Sequence, residues 1–326
     1  MATIYEVAAR AGVSPSTVSR VFNGLTVSEK KTKAVRAAAA ELRFTPDKAA
    51  RRLRGRTSEV IALLIPDIEN PFFTALARGV EDRAQQAGYS LVLCNTDDDV
   101  DKETRYLEIV EAERMAGVIL APSAEAGDLS SLVAHGLPVV AVDRSTGYDI
   151  DAVMVDNRAA GIAATDALFD AGYRRVACIA GPRGIESTEQ RFLGWRESAT
   201  ARGMDDLDRY LRHANYRVDG GRAAMRELLA SPQPPDAVVT TNNLMAVGAL
   251  QALAAAGITP PRIGVAVVGD LPFATFAPSA IVQVHLPARH LGITAADLLL
   301  QRIAGDDQPP RTVVLRATLA ATEDDA

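Results

Sequence analysis

The sequence predicts an all-α module followed by an α/β core of two parallel, doubly wound sheets, and three observations predict it. The first 58 residues are basic and rich in helix caps, the rest alternates apolar runs with helical segments, and that alternation occurs twice. Parallel strands joined by crossover helices are covered on both faces, so they read as unbroken apolar runs. At 326 residues, 48% hydrophobic and 5% aromatic, the chain exceeds one core and has the composition of an ordinary soluble α/β protein.

Thr3 with Glu6 three residues later is a capping box, so a helix starts there. Val7, Ala8 and Ala11 give it one apolar face, and Gly12 ends it. Ser14 as N-cap with Pro15 at the first helical position starts a second helix, which carries Val18, Val21 and Phe22 inward and stops at Asn23-Gly24. Two short helices joined by a glycine turn make a helix-turn-helix, whose close crossing requires the small Ala8, the turn Gly12 and the apolar Val18. The second helix can lie in the major groove of DNA, and its outward face is Ser16, Thr17, Ser19 and Arg20. Taken alone, the stretch also fits an αα-hairpin with a polar face. Ser28 caps a third helix running through Val35 and Ala38 to Leu42, and Pro46 interrupts it. Asp47 to Gly55 is a segment of about two helical turns, too short to be stable alone in water. Leu53, its one large apolar side chain among basic residues, suits a wedge for the minor groove. A flexible charged linker is the plainer reading, and the two fit different states.

Charge separates the two parts. The net charge of −6 conceals 12 Lys/Arg against 4 Asp/Glu in residues 1–58, a balance of +8, and 23 against 37 in the remainder, a balance of −14. The phosphate-neutralising surface is therefore confined to one end, and the rest is repelled by DNA. Cys94 and Cys178 lie far apart on apolar runs, which favours buried thiols over a disulfide or metal site. No charged-then-apolar leader and no apolar run near about 18 residues is found, so neither secretion nor membrane insertion is expected.

Beyond Ser58, Val60 to Ile65 reads as a buried strand, Asn70-Pro71 opens a helix to about Ala87, and Ser90 to Cys94 is the next strand. Strands at Gly117 to Ala121 and Val139 to Asp143 continue the series. It repeats with strands at Val176 to Ala180, Ala237 to Thr240 and Val265 to Val268, separated by helices after Asn157, Thr188, Asp219 and Asn242. Two sheets of similar size imply two lobes, with a ligand cleft at strand carboxyl ends and helix starts. The first-strand exit, Asp67 to Phe73, sets Phe72 and Phe73 at a helix start, where aromatic faces can stack on the C–H side of a sugar. Phe73 is the favoured contact, and lobe core is the alternative for both. Asp143 and Asp156 end strands, and a carboxylate there can accept two hydroxyls.

Tyr5-Glu6-Val7-Ala8, Gly12-Val13-Ser14, Thr17-Val18-Ser19-Arg20-Val21, Asn23, Val27-Ser28 and Ala50-Arg51-Arg52-Leu53 together resemble the headpiece and hinge of the LacI/GalR family of bacterial transcriptional regulators. The resemblance covers nearly the whole chain and implies a helix-turn-helix headpiece on a two-lobed periplasmic-binding-protein-like core. It implies a dimer on double-stranded, pseudo-palindromic DNA, with base contacts from Pro15, Ser16 and Arg20. Pro15 has no N–H, so reading rests on Ser16 and Arg20. Backbone contacts fall to Tyr5, Ser14, Thr17, Ser19, Asn23 and Ser28, and to Lys31, where the family usually has Thr. The minor-groove hinge falls to Ala50, Arg51, Leu53 and Arg54. For the effector, a sugar or sugar derivative, the resemblance implies Phe72, Phe73, Asp143, Ser187, Arg191, Tyr216, Asn242 and Asp270, with Arg191 as a fork-shaped donor. Departures are Gly269-Asp270-Leu271-Pro272, two residues shorter than usual, Leu286 where Gln is usual, and Ala121, at a position polar in some members.

The implied boundaries are 1–46 for the headpiece, 47–58 for the hinge and 59–326 for the core. Within the core, one lobe takes 59–156 and 287–308 and the other 157–286 and 309–326. No leucine heptad follows Val313-Val314-Leu315, so a homodimer is expected. No nucleophile elbow, P-loop or dinucleotide fingerprint is present, and His135, His213, His285 and His290 lack ligand spacing. A non-enzymatic repressor without cofactor or metal is expected, cytoplasmic and nucleoid-associated when bound to DNA. The rival is a solute-binding receptor of a transport system, which has the same lobes but no use for the first 58 residues. A sugar-modifying enzyme would need an acid/base pair such as Asp143 and Asp270.

Overall fold

The structure is a computed structural model and describes residues 2–22, 25–44, 58–124, 127–271 and 281–319. Asn23, the hinge residues Ala50, Arg51, Leu53 and Arg54, Pro272 and the acidic run at 323–325 lie outside the described residues. The chain divides into two compact units, residues 1–58 and 59–326.

The first unit holds α1 (Ile4–Ala11), α2 (Pro15–Phe22) and α3 (Glu29–Glu41). Thr3 and Glu6 form the expected capping box, with Thr3 N–H donating to Glu6 Oε2 at 2.6 Å and Glu6 N–H to Thr3 Oγ1 at 3.3 Å. Gly12 ends α1 with φ at 65°, a left-handed conformation that a side chain would strain. Val7, Ala8, Val18, Val21, Val35, Ala38 and Ala39 close a small core, and the rings of Phe22 and Phe44 meet beside it at 5.7 Å. Ser28 stands at the N-cap of α3 but makes no side-chain capping bond, so the expected cap is positional only.

The second unit begins with β1 (Val60–Ile65), α4 (Pro71–Gln86), β2 (Ser90–Asn95), α5 (Val100–Ala112), β3 (Val118–Leu120), α6 (Ser130–Ala134), β4 (Val139–Val142) and β5 (Asp151–Val155). It continues through α7 (Asn157–Asp170), β6 (Val176–Ala180), α8 (Glu186–Ala201), β7 (Leu211–His213), α9 (Val218–Leu229), β8 (Ala237–Thr240), α10 (Asn243–Ala255), β9 (Gly264–Val268) and β10 (Ile281–His285). It closes with α11 (Ala288–Ile303), β11 (Thr312–Leu315) and β12 (Thr318–Leu319). The first sheet runs β11-β5-β4-β3-β1-β2, parallel throughout, and the second runs β12-β10-β9-β8-β6-β7. The second is parallel except for β12, which pairs antiparallel with β10. Strands such as β1 and β6 are buried along their length because helices cover both faces.

The chain changes lobe three times, at β5–α7, β10–α11 and β11–β12. The last change corrects the expected boundary near residue 308. Thr312 to Leu315 pair in register with Ala152 to Val155, so the first lobe keeps the chain to Leu315. The short, half-exposed β11 carries no signal of which sheet edge it will join. Among the described residues, no helix is long and apolar enough to cross a membrane.

Candidate functional site

In the first unit the candidate surface is α2 and its approaches. Ser14 sits at the helix start, where its Oγ accepts from Thr17 N–H at 3.2 Å. The same Oγ lies 2.8 Å from Ser16 Oγ and 2.9 Å from Thr17 Oγ1, so three hydroxyls cluster at the end where the helix dipole favours a phosphate. Ser14, Ser16 and Arg20 are exposed, Pro15, Thr17 and Ser19 half-buried, and Tyr5 is 72% exposed. Arg20 Nη2 donates to Thr26 O at 3.2 Å, a contact to backbone that uses one of its five N–H donors. Lys30, Lys31, Lys33 and Arg36 of α3 are exposed as well.

In the second unit a cavity of about 200 Å³ lies between the lobes. Its first-lobe wall comes from strand exits. Asn70 caps α4 by accepting from Phe72 N–H at 3.0 Å, and Phe72 and Phe73 meet edge to face at 5.1 Å. Both rings line the cavity, but Phe73 belongs to the core at 5% exposure while Phe72 is half-buried, so the favoured ring is the less open one. Asp143 follows β4 with φ at 64°, an unusual backbone for a non-glycine residue, and Oδ1 of this buried carboxylate has no hydrogen-bond partner among the described residues. Arg144 is also buried. Its Nη1 donates to Asp98 Oδ1 at 2.7 Å and Pro122 O at 2.9 Å, while its Nε lies 3.8 Å from Asp143 Oδ2 and has no hydrogen-bond partner among the described residues. Burial works against the Arg144 charge, but Asp98 and Asp143 outweigh it and raise the pKa.

The second-lobe wall is built on α8, α9 and α10. Gly161 of α7 lets α8 approach closely: a Cβ there would stand 2.2 Å from Arg191 O. That approach buries Arg191, whose Nε donates to Asn157 Oδ1 at 2.8 Å and Nη1 to Thr241 O at 2.7 Å. Arg191 is thus a buried cavity-wall residue, and Trp195, one turn later in α8, is core. Ser187 is buried beside it, and Tyr216, with φ at 63°, bonds Thr188 Oγ1 through its hydroxyl. Burial pushes the Tyr216 hydroxyl pKa up. Asn242 caps α10 by accepting from Met245 N–H at 2.8 Å and donates to Tyr216 O at 3.0 Å, so its amide holds the tyrosine in place.

Two expected carboxylates are elsewhere. Asp270 is outside the 200 Å³ cavity, with its side chain 57% exposed and its Oδ1 2.6 Å from His285 Nδ1. It borders a smaller space of about 50 Å³ with Phe72 and Asn243, because Gly269 at φ 120° turns the chain toward the end of β10. Asp156 caps α7, accepting from Ala159 N–H at 3.0 Å. Asp67, within the first-strand exit named from the sequence, lines the cavity, whereas sequence reasoning missed Asp97, Asp98, Arg144, Asn215, Arg217 and Asn243, which line it as well. The signal for Asp97 and Asp98 was available, since they follow β2 as Asp143 follows β4. Lys102 and then Asn95, by hydrogen bonding, hold the Asp97 carboxyl below its ordinary pKa.

Both units of the chain match known protein families. Residues 3–47 match the family described as bacterial regulatory proteins, lacI family, and residues 58–323 match periplasmic binding proteins and sugar binding domain of LacI family. The chain is 38% identical over 313 residues to the ribose operon repressor of Escherichia coli strain K12, covering 93% of each chain. It is similar in structure to the transcriptional regulator CelR in its cellobiose complex, with TM-score 0.72, 32% identity and coverage of 98% and 99%. It is also similar to the Lac repressor dimer bound to operator and the anti-inducer ONPF, with TM-score 0.85, 25% identity and coverage of 98% of each.

Proposed function

The chain belongs to the LacI family of bacterial regulatory proteins, and on that premise we infer that it is a repressor whose grip on operator DNA is set by a small sugar in its core cleft. It binds DNA as a dimer, as the Lac repressor does in its operator complex. The observation that carries the sensor half of this reading is the cavity itself. Asp67, Asp97, Asp98 and Asp143 line it together with Arg144, Arg191 and Arg217, and its volume of about 200 Å³ is below the range of about 300–1,000 Å³ that holds drug-sized ligands. Carboxylates and guanidiniums nearly balance, which favours a neutral polyhydroxyl molecule of monosaccharide size over a phosphate ester. Among the described residues Asp143 Oδ1 lacks a hydrogen-bond donor and Arg144 Nε lacks an acceptor, and one hydroxyl supplies both.

Phe72, Phe73, Asp143, Ser187, Arg191, Tyr216 and Asn242 form or support the effector site, and Asp270 is left out of it. Pro15, Ser16 and Arg20 read bases. Tyr5, Ser14, Thr17, Ser19, Asn23, Ser28 and Lys31 meet the DNA backbone. Ala50, Arg51, Leu53 and Arg54 form the hinge, with the two Leu53 side chains of the dimer prying open the central step. Effector binding changes the angle between the lobes and with it the spacing of the hinges. No catalysis is assigned, and Asp143 and Asp270, the example of an acid/base pair a sugar-modifying enzyme would need, border different cavities. The protein acts in the cytoplasm, on the nucleoid when bound to DNA.

A thermal-shift screen tests the sensor half, with D-ribose, other sugars, polyols and nucleosides on the full-length protein. A ligand at about 100 times its Kd stabilises the native state by about 2.7 kcal/mol, a shift of a few degrees. If no polyhydroxyl compound shifts the melting temperature, the cleft reading is wrong.

A further inference from the structure

Three arginines line the cavity, and two of them are held within their own lobe. Arg144 is bound by Asp98 and Pro122 in the first lobe, and Arg191 by Asn157 and Thr241 in the second. Arg217 differs. It stands at the start of α9 in the second lobe, and its Nη1 donates to Glu69 Oε2 at 2.5 Å while its Nη2 lies 3.5 Å from Asp67 Oδ2. Glu69 and Asp67 follow β1 in the first lobe, so the ion pairs span the cleft.

Both ends of the bridge are set before they meet. Arg217 N–H donates to Asn215 Oδ1 at 3.0 Å, and Asn215 Nδ2 donates to Asp219 Oδ1 at 3.2 Å, which fixes the turn that presents the arginine. Across the cleft, Glu69 N–H donates to Asp67 Oδ1 at 2.9 Å, and Ile68 N–H donates to Asn95 Oδ1 at 2.8 Å. A second contact also joins the lobes, from Ser145 N–H to Glu186 Oε2 at 2.7 Å.

We propose that Arg217, with Glu69 and Asp67, is an inter-lobe latch that holds the cleft partly closed without effector and so sets how far an effector must shift the lobes to be sensed. The side chains of Arg217 and Glu69 are 42% and 74% exposed, so the bridge is screened and weak. A weak latch suits a sensor, because a ligand can shift an equilibrium only by its differential affinity for the two states. A buried, unbreakable bridge would fix one state. The regulatory meaning of the latch rests on the cleft being the effector site, but its existence does not.

The test uses the full-length protein without added sugar. Spin labels at Glu108→Cys and Arg226→Cys, one exposed position in each lobe, report the inter-lobe distance, with labelled chains diluted into unlabelled ones. Arg217→Gln should move the distance distribution toward longer values, lowering the closed-to-open ratio about two- to fivefold. High NaCl should do the same to the parent chain and have little further effect on Arg217→Gln. The swapped pair Glu69→Arg with Arg217→Glu should recover part of the closed population, which a merely structural arginine would not allow. Identical distance distributions in the parent and Arg217→Gln, at low and high salt, would overturn the latch. Titrating the same labelled chains with D-ribose and the other sugars of the thermal-shift screen separates the two readings: a latch that opens in Arg217→Gln while no sugar moves any distance leaves the bridge standing and removes the sugar effector.

Discussion

In the headpiece the candidate contacts are outside, and in the core they are inside. Tyr5, Ser16 and Arg20 stand in solvent on helices held by a core of seven buried residues, whereas Asp143, Ser187 and Arg191 are each at least nine-tenths buried. The difference follows from the partners. A duplex brings its own charge and shape and is met by a surface, so the headpiece needs only basic and hydroxyl side chains at the right helical spacing. A small polar molecule must be desolvated and satisfied on every side, so the core needs prearranged groups from many segments. The headpiece site is therefore local in sequence and the core site is not.

The largest effect that could break this contrast is salt. Six to ten phosphate contacts imply that DNA affinity falls by roughly 10³ to 10⁵ between about 50 and 200 mM salt. A flat profile would mean that the basic headpiece does not meet DNA as a surface of charge. Next is Arg20→Ala, which should cost about 1–3 kcal/mol of discrimination against the wrong base, roughly five- to 150-fold, measured as operator against random duplex. Equal loss on both duplexes would demote Arg20 to a backbone contact.

Arg191→Ala probes the core side. It strips Asn157 and the Thr241 carbonyl of their buried partner, so it should lower stability by about 1–3 kcal/mol and abolish the thermal response to any sugar that shifts the parent. An unchanged sugar response would remove Arg191 from the effector site.

The smallest effect compares two depressed carboxyls. Thr3 lowers the pKa of Glu6 in the headpiece, and in the core Ser130 and then Tyr148 hold Asp128 down at about 2. A carboxyl whose folded pKa lies below its unfolded value stabilises the fold above the unfolded value. For Asp128 that contribution is present above 3.8 and is lost as pH falls toward 2. Tyr148→Phe, which removes a 2.8 Å hydrogen bond to Asp128 Oδ1, should raise the Asp128 midpoint in an NMR titration. A parent midpoint near the ordinary value of about 3.9 would show that the network is not formed in solution.

The headpiece was legible because its rules are short-range. A capping box joins residues three apart, and a glycine turn and a proline start mark the helix ends. The strands were legible because two-sided burial demands unbroken apolar runs. Arg191, Tyr216 and Asn242 were legible through the family resemblance. Asp270 was misplaced because which way a carboxylate leaves a strand depends on one backbone turn at Gly269 and on His285, fifteen residues later. Arg144 and Arg217 were missed because their partners, Asp98 and Glu69, are 46 and 148 residues away in sequence.

The amino-acid order by itself determined the separation of a cationic helical module from an acidic α/β core, the helix ends and the apolar strands. These depend on neighbours within a turn or on composition, which the chain carries before it folds. Only the tertiary structure decided which lobe owns residues 309–315, which carboxylates face the cavity and which arginine bridges it. Those outcomes depend on distances between residues far apart in the chain, and such distances exist only once the sheets have packed.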